Sequence, residues 1–150
     1  MVNFGGMYME NKLKYLEMIQ EIIQRMANNS FLLKGWAITL VAAIFALSDQ
    51  TLKQEYFLFV YVPVIVFWFL DSYYLQLERK YKVLYDKVRV KDNEINFDLN
   101  IEDINYSKLN LERLCFIRCL LSKSEFLFYV PIVVVLTIIF EAQLSVLLGL

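Results

Sequence analysis

The sequence predicts an all-α membrane protein with about three transmembrane helices, and three observations support this fold class. Hydrophobic residues make up 59% of the 150 residues, against about 45–50% in soluble domains. Three apolar segments approach or exceed the roughly 20 residues that a helix needs to cross a bilayer. Fourteen of the 15 Lys and Arg residues fall on one side of the membrane if all three segments span it.

The three segments divide the chain into four parts. Residues 1–30 form an amphipathic N-terminal helix, and residues 31–75 form a transmembrane hairpin with aromatic residues at both ends of its second arm. Residues 76–125 form a helical connection, and residues 126–150 form the C-terminal transmembrane helix. The alternative, a buried hairpin of a soluble protein, is disfavoured because so short a chain cannot cover three such segments.

The distribution of basic residues predicts the orientation. The connection 71–125 carries ten of them and the short link 48–55 carries one. Because Lys and Arg concentrate on the cytoplasmic side, we expect a bacterial inner-membrane protein with its N-terminus and residues 71–125 in the cytoplasm. The C-terminus is then periplasmic or extracellular.

An apolar stripe at helical spacing marks the N-terminal helix. Such a helix either packs on the cytoplasmic helices, lies on the membrane surface, or gates a pore from inside. Residues 28–30 (Asn-Asn-Ser) are predicted to cap a break before the first span. The stripe, and therefore the candidate gate, consists of Leu13, Leu16, Ile19, Ile22, Ile23 and Met26.

The second span is predicted to continue as a helix beyond the membrane. Its apolar positions there repeat at heptad-like spacing, which favours packing either against the returning helix or around a symmetry axis. Residues 95–101 alternate apolar and polar side chains, as in a short strand or an extended packed segment. Helical spacing returns over 108–121, and Ser122–Glu125 matches a capping box that starts the last helix. The heptad positions are Leu70, Tyr74, Leu77, Tyr81, Leu84 and Val88.

No catalytic motif is present, so the sequence predicts a protein that is not an enzyme and has no cofactor, metal or catalytic residue. The chain contains no histidine, the commonest general base and metal ligand. Cys115 and Cys119 are expected to be ordinary packing thiols in a reducing compartment. An enzyme acting on lipid or nucleotide is the least favoured class.

Polar residues inside the apolar segments are candidate pore-lining residues, because charge in a membrane usually faces a bundle interior or water. Glu141 would form an acidic ring in an oligomer, or would mark the outer surface if the third span ends there. Lys34 is either a pore-mouth charge or an interfacial residue whose ammonium reaches toward water. The candidates are Lys34, Thr39, Thr137, Glu141, Gln143 and Ser145.

A basic stretch follows the second span and is a candidate binding site for the phosphates of lipids or of a nucleotide ligand. Interleaved tyrosines would also suit single-stranded nucleic acid. The alternative is the positive charge that any membrane protein carries on its cytoplasmic side. The stretch comprises Arg79, Lys80, Lys82, Tyr85, Lys87, Arg89 and Lys91.

The run Trp68-Phe69-Leu70-Asp71-Ser72-Tyr73-Tyr74-Leu75-Gln76-Leu77-Glu78-Arg79-Lys80-Tyr81, extended through Leu84-Tyr85, resembles a group of small bacterial membrane proteins. Together with Ser122-Lys123-Ser124, it is similar to the membrane effectors of the Hailong anti-phage defence system. The resemblance covers most of residues 30–150 and is sharpest over about twenty of them.

This resemblance implies a homo-oligomeric ion channel that is held closed in uninfected cells. A companion nucleotidyltransferase would make a short DNA or nucleotide product that binds the channel. Infection would release this inhibition, and the open pore would depolarise the inner membrane and stop growth. The alternative is a non-conducting scaffold or anchor that recruits a cytosolic partner enzyme.

Overall fold

The fold was analysed in a computed structural model that describes residues 4–47, 54–90, 96–102, 104 and 114–148. Four helices lie in this part of the chain: α1 (Phe4–Leu47), α2 (Gln54–Val90), α3 (Phe116–Leu120) and α4 (Lys123–Leu148). The described residues contain no strand. Helices α1, α2 and α4 are each long and apolar enough to cross a membrane, which confirms the predicted all-α membrane fold.

Helices α1 and α2 are longer than a bilayer is thick. Their 44 and 37 residues correspond to about 66 and 56 Å of helix, whereas the hydrocarbon core measures about 30 Å. Each helix is therefore long enough to cross the membrane and to continue beyond it. The two continuations lie side by side, with Tyr15 and Ile19 of α1 against Leu84 of α2, and we call them the stalk. The predicted break at residues 28–30 is wrong, because α1 runs through it.

The side chains of residues 28–30 explain why the helix continues. Gln24 Nε2 donates to Asn28 Oδ1 at 3.3 Å, and Lys34 Nζ donates to Ser30 Oγ at 3.1 Å. Both bonds join residues four apart on one helix face. Polar side chains that would otherwise cap a helix are thus bonded within it.

The core of the membrane part lies between α1, α2 and α4. Five buried side chains form it: Ala37, Val60, Val64, Tyr129 and Leu136. They pack against one another between the three helices.

The stalk has a second, smaller core. Tyr15 and Ile19 of α1 are buried against Leu84 of α2, with Tyr81 and Val88 around them. Three heptad positions of α2, namely Tyr81, Leu84 and Val88, therefore pack intramolecularly against α1, whereas Leu70 is 43% exposed.

The candidate gate residues lie along this stalk. Ile19 is fully buried, Leu13 is 55% exposed, and the other four are half-buried: Leu16, Ile22, Ile23 and Met26. The alternating segment that follows α2 packs on the same core through Leu99, Ile101 and Ile104.

The predicted strand in that segment is not formed. Asn96, Asp98 and Asn100 each accept a backbone N–H from the residue two positions later, at 3.3, 2.8 and 2.9 Å. Three successive turns of this kind satisfy locally the backbone groups that a strand would pair with a neighbour. The apolar residues between them remain free to pack, which matches the alternative prediction of a packed segment.

Residues 114–122 are the described part of the chain that leads directly into α4. Leu114 is buried, α3 covers five residues, and α4 begins at Lys123. The part of the predicted helix 108–121 before Leu114 lies outside the described residues.

Candidate functional site

Three ionisable side chains from three helices meet where the membrane part joins the stalk. Lys34 of α1 contacts Asp71 of α2 and Glu125 in the first turn of α4. Asp71 is 0% exposed and Glu125 is 1% exposed, whereas Lys34 is 17% exposed. We call these three residues the junction cluster.

Lys34 uses its three N–H donors within this cluster. Its ammonium Nζ lies 3.1 Å from Glu125 Oε1 and 3.1 Å from Ser30 Oγ, and it also donates to Asp71 Oδ2. An ammonium has three protons, so its donor capacity is filled. Lys34 is therefore neither an open pore-mouth charge nor a side chain extended into water.

Two aromatic residues, Tyr129 and Trp68, pack beside the junction cluster on its membrane side. Tyr129 is fully buried and donates its hydroxyl to Asp71 Oδ2 at 3.1 Å. Its ring stacks on Trp68, whose Nε1 donates to the Leu120 carbonyl at 3.1 Å. These contacts fix α4 and the end of α3 to α2.

The junction cluster carries two carboxyl groups and one ammonium. Asp71 Oδ1 and Glu125 Oε2 are buried and have no hydrogen-bond partner among the described residues. Burying charge in a membrane is costly, and ionisable residues at such positions commonly mark ion pathways or switches. The cluster is accordingly the candidate functional centre of this protein.

Sequence reasoning singled out Lys34 and missed its partners. Glu125 was assigned to a capping box, and the helix does begin where that motif predicts. The reciprocal bonds of the box are not made, because the Glu125 side chain turns to Lys34 while the hydroxyl of Ser122 has no partner among the described residues. The pattern that could have indicated the cluster is one charged residue at the stalk end of each apolar segment: Lys34, Asp71 and Glu125.

The three residues of the junction cluster lie at one level along the helices. Distances along each helix can therefore be measured from that level and compared. From Lys34, α1 continues 13 residues, about 20 Å, to Leu47. From Glu125, α4 continues 16 residues, about 24 Å, to Glu141. Glu141 therefore lies within about 5 Å of the level at which α1 ends.

Four of the other pore-lining candidates lie on the outer surface of the unit. Thr137, Glu141 and Ser145 are exposed and follow one another at four-residue intervals, so they form a polar stripe on one face of α4. Thr39 is exposed on α1 and donates its hydroxyl to the Gly35 carbonyl at 2.9 Å. The side chain of Gln143 lies outside the described part.

One bond joins this stripe to the neighbouring helix. Thr137 Oγ1 donates to the Val133 carbonyl at 2.8 Å and lies 3.1 Å from the hydroxyl of Tyr61. Since the single Thr137 proton is used in its own helix, Tyr61 is the donor in the second bond. Helices α2 and α4 are thus hydrogen-bonded within the membrane part.

The basic candidates of α2 do not converge on one site. Lys82 pairs with Glu78, and Arg89 Nη2 lies 3.3 Å from Asp86 Oδ1. Tyr85 packs against the stalk core, Lys80 and Lys87 are half-buried, and Lys91 lies outside the described residues.

Arg79 differs from the other basic candidates because its side chain contacts α3. Its Nη1 donates to the Sγ of Cys119 at 3.4 Å. Burial raises the pKa of the Cys119 thiol, and the neighbouring guanidinium opposes this shift. Cys119 is buried and Cys115 is exposed, and neither is in a disulfide bond in the described part of the chain.

No protein-family model, curated protein or solved structure matches this chain. The described residues contain no group of three or more Cys, Asp or Glu side chains placed to hold a metal ion. The fold and its sites together define a three-helix membrane protein with a two-helix stalk and a buried ionic junction.

Proposed function

We propose that this protein is the subunit of a homo-oligomeric ion channel in the bacterial inner membrane. The observation that carries the proposal is the polar stripe Thr137–Glu141–Ser145 on the outer surface of α4. A carboxylate on a lipid-facing surface is costly, so this face is better placed against water or another subunit. Because the interior of one unit is packed, several copies would have to enclose the water path.

The charge of the stripe predicts the selectivity of this pore. Glu141 sits near the outer end of α4, about 24 Å from the junction cluster. Copies of this carboxylate around an axis would form an acidic ring that favours cations. The hydroxyls of Thr137 and Ser145 lie one turn to either side of it.

Ion flux through liposomes tests this proposal. The full-length protein should pass K⁺ in preference to Cl⁻, and Glu141→Gln should reduce that preference without reducing the amount of folded protein. Glu17→Gln on the stalk is the matched control, because Glu17 is exposed and lies far from the stripe. If Glu141→Gln conducts with unchanged selectivity, Glu141 does not line the ion path.

We propose that a ligand regulates the channel by binding to the stalk. With the orientation predicted from the basic residues, it lies in the cytoplasm, within reach of a soluble ligand. The resemblance to Hailong effectors supports an anti-phage role, in which a short DNA or nucleotide product from a companion nucleotidyltransferase holds the pore closed. Adding such oligonucleotides to the liposomes should reduce the flux.

A non-conducting scaffold is the second candidate, and the far end of α1 favours it. Met7, Met9 and Leu13 are more than half exposed at a distance of about 30–40 Å from the cluster, a position that suits a protein partner. Well-folded oligomers that carry no current, with or without oligonucleotide, would favour the scaffold over the channel.

A further inference from the structure

A cavity of about 560 Å³ lies beside the junction cluster, on its stalk side. It is lined by Leu75 and Arg79 of α2, Arg118 of α3, and the residues around the start of α4: Leu121, Ser122, Lys123 and Ser124. Three of these side chains are cationic and none is a carboxylate. The cavity is therefore an electropositive recess at the meeting point of three helices.

The start of α4 adds two further features that suit an anion. The first backbone N–H groups of a helix have no partner within it and carry a partial positive charge. Ser122, immediately before α4, has a buried hydroxyl with no hydrogen-bond partner among the described residues. Ser122 lines the cavity, and a rotation about its Cα–Cβ bond would let this hydroxyl donate to a ligand oxygen.

The position of the cavity along the membrane normal determines which anions can reach it. Leu75 and Arg79 lie four and eight residues beyond Asp71 on α2, about 6 and 12 Å toward the stalk. The headgroup layer occupies roughly 5–8 Å on each side of the hydrocarbon core. With the cluster at the edge of the hydrocarbon, Leu75 and Lys123 lie at headgroup level, and Arg79, whose side chain also lines the cavity, lies on the stalk side of that level.

We propose that this cavity binds the phosphate of an anionic phospholipid headgroup, held by Arg79, Arg118, Lys123 and the hydroxyl of Ser122. The apolar side chains Leu75 and Leu121, the latter 61% exposed, contact the start of the acyl chains. Basic recesses at the ends of membrane helices are a recurring site for such headgroups. This inference does not depend on ion conduction.

Lipid binding to the full-length protein in neutral detergent tests the proposal. Native mass spectrometry would count phosphatidylglycerol and phosphatidylcholine molecules retained per chain across a lipid titration. Phosphatidylglycerol should bind more tightly than phosphatidylcholine. Arg118→Gln and Lys123→Gln should each weaken its binding roughly fivefold, the effect of about one basic residue near an anionic surface.

Arg89→Gln is the matched control, because it removes the same charge from the same side of the membrane outside the cavity. Binding should change less than about twofold in this variant. An equal loss in Arg89→Gln and Lys123→Gln would mean diffuse charge attraction and would overturn the site. The charge-retaining variants Arg118→Lys and Lys123→Arg should keep the lipid, and its loss in both would also overturn it.

Soluble glycerophosphoglycerol, the deacylated form of phosphatidylglycerol, distinguishes the source of the phosphate. It presents the same phosphodiester without acyl chains and should displace phosphatidylglycerol only weakly. If it binds as tightly as the lipid and with the same dependence on Arg118 and Lys123, the ligand is a soluble phosphate compound and the lipid assignment is wrong.

Discussion

Removing the ammonium of Lys34 is the most direct perturbation of the junction cluster. Lys34→Met keeps the length and apolar stem of the side chain and deletes its charge. Asp71 and Glu125 then lie together in a buried site without their shared cation. Either the two carboxyl groups repel each other, or protons must be taken up to neutralise them.

The expected loss of stability is large. Deleting one partner of a buried ion pair costs about 3–5 kcal/mol, because the remaining charge is left uncompensated. Lys34 is 17% exposed, so water screens part of the effect and the lower end of this range applies. We expect a loss of about 3 kcal/mol in the free energy of unfolding.

Titration with SDS in mixed micelles, followed by circular dichroism, would measure this loss. Lys82→Met is the matched control: Lys82 also pairs with a glutamate, but its side chain is 57% exposed, and such a pair contributes less than about 0.5 kcal/mol. The triple variant Lys34→Met, Asp71→Asn, Glu125→Gln should recover most of the stability, since neutral groups need no counter-charge. A Lys34→Met loss as small as that of Lys82→Met would refute the buried ionic junction.

Three further variants or labels probe other parts of the fold. Tyr129→Phe should cost about 1–3 kcal/mol in the same titration, because a buried carboxylate loses a donor. Ile19→Ala should cost about 2–5 kcal/mol and loosen the stalk, as measured by proteolysis of α1, because the fully buried side chain leaves a cavity. Maleimide at neutral pH should label Cys115 and spare Cys119, whose thiol is buried and whose pKa is raised. Two labels per folded chain, counted by mass spectrometry, would contradict this.

The three membrane helices could be predicted because their signal is local. Length and apolar composition decide whether a segment can cross a bilayer, and both are read directly from the chain. The predicted break at Asn28–Ser30 failed because capping residues do not by themselves end a helix. There, partners four residues away satisfy the side chains of Asn28 and Ser30, and the helix continues.

The junction cluster could not be predicted in the same way. Each of its charges was visible in the sequence, but their pairing depends on the level at which three separate helices sit beside one another. The strand predicted over residues 95–101 failed for a related reason. Alternation places apolar residues on one face, but the Asn and Asp side chains between them form turns with their own backbone.

The continuity of α1 and α2 bears on how the proposed channel would open. Both helices pass through the level of the cluster without a break, so their stalk and membrane parts move together. Helix α4 instead begins at that level, and the polar stripe is carried on it. Its described hydrogen bonds to the hairpin are those of Glu125 to Lys34, Tyr129 to Asp71 and Thr137 to Tyr61. In the proposed channel, a ligand that shifts the stalk would therefore act on α4 through two contacts, that of Lys34 with Glu125 and that of Asp71 with Tyr129, and we expect opening to change both.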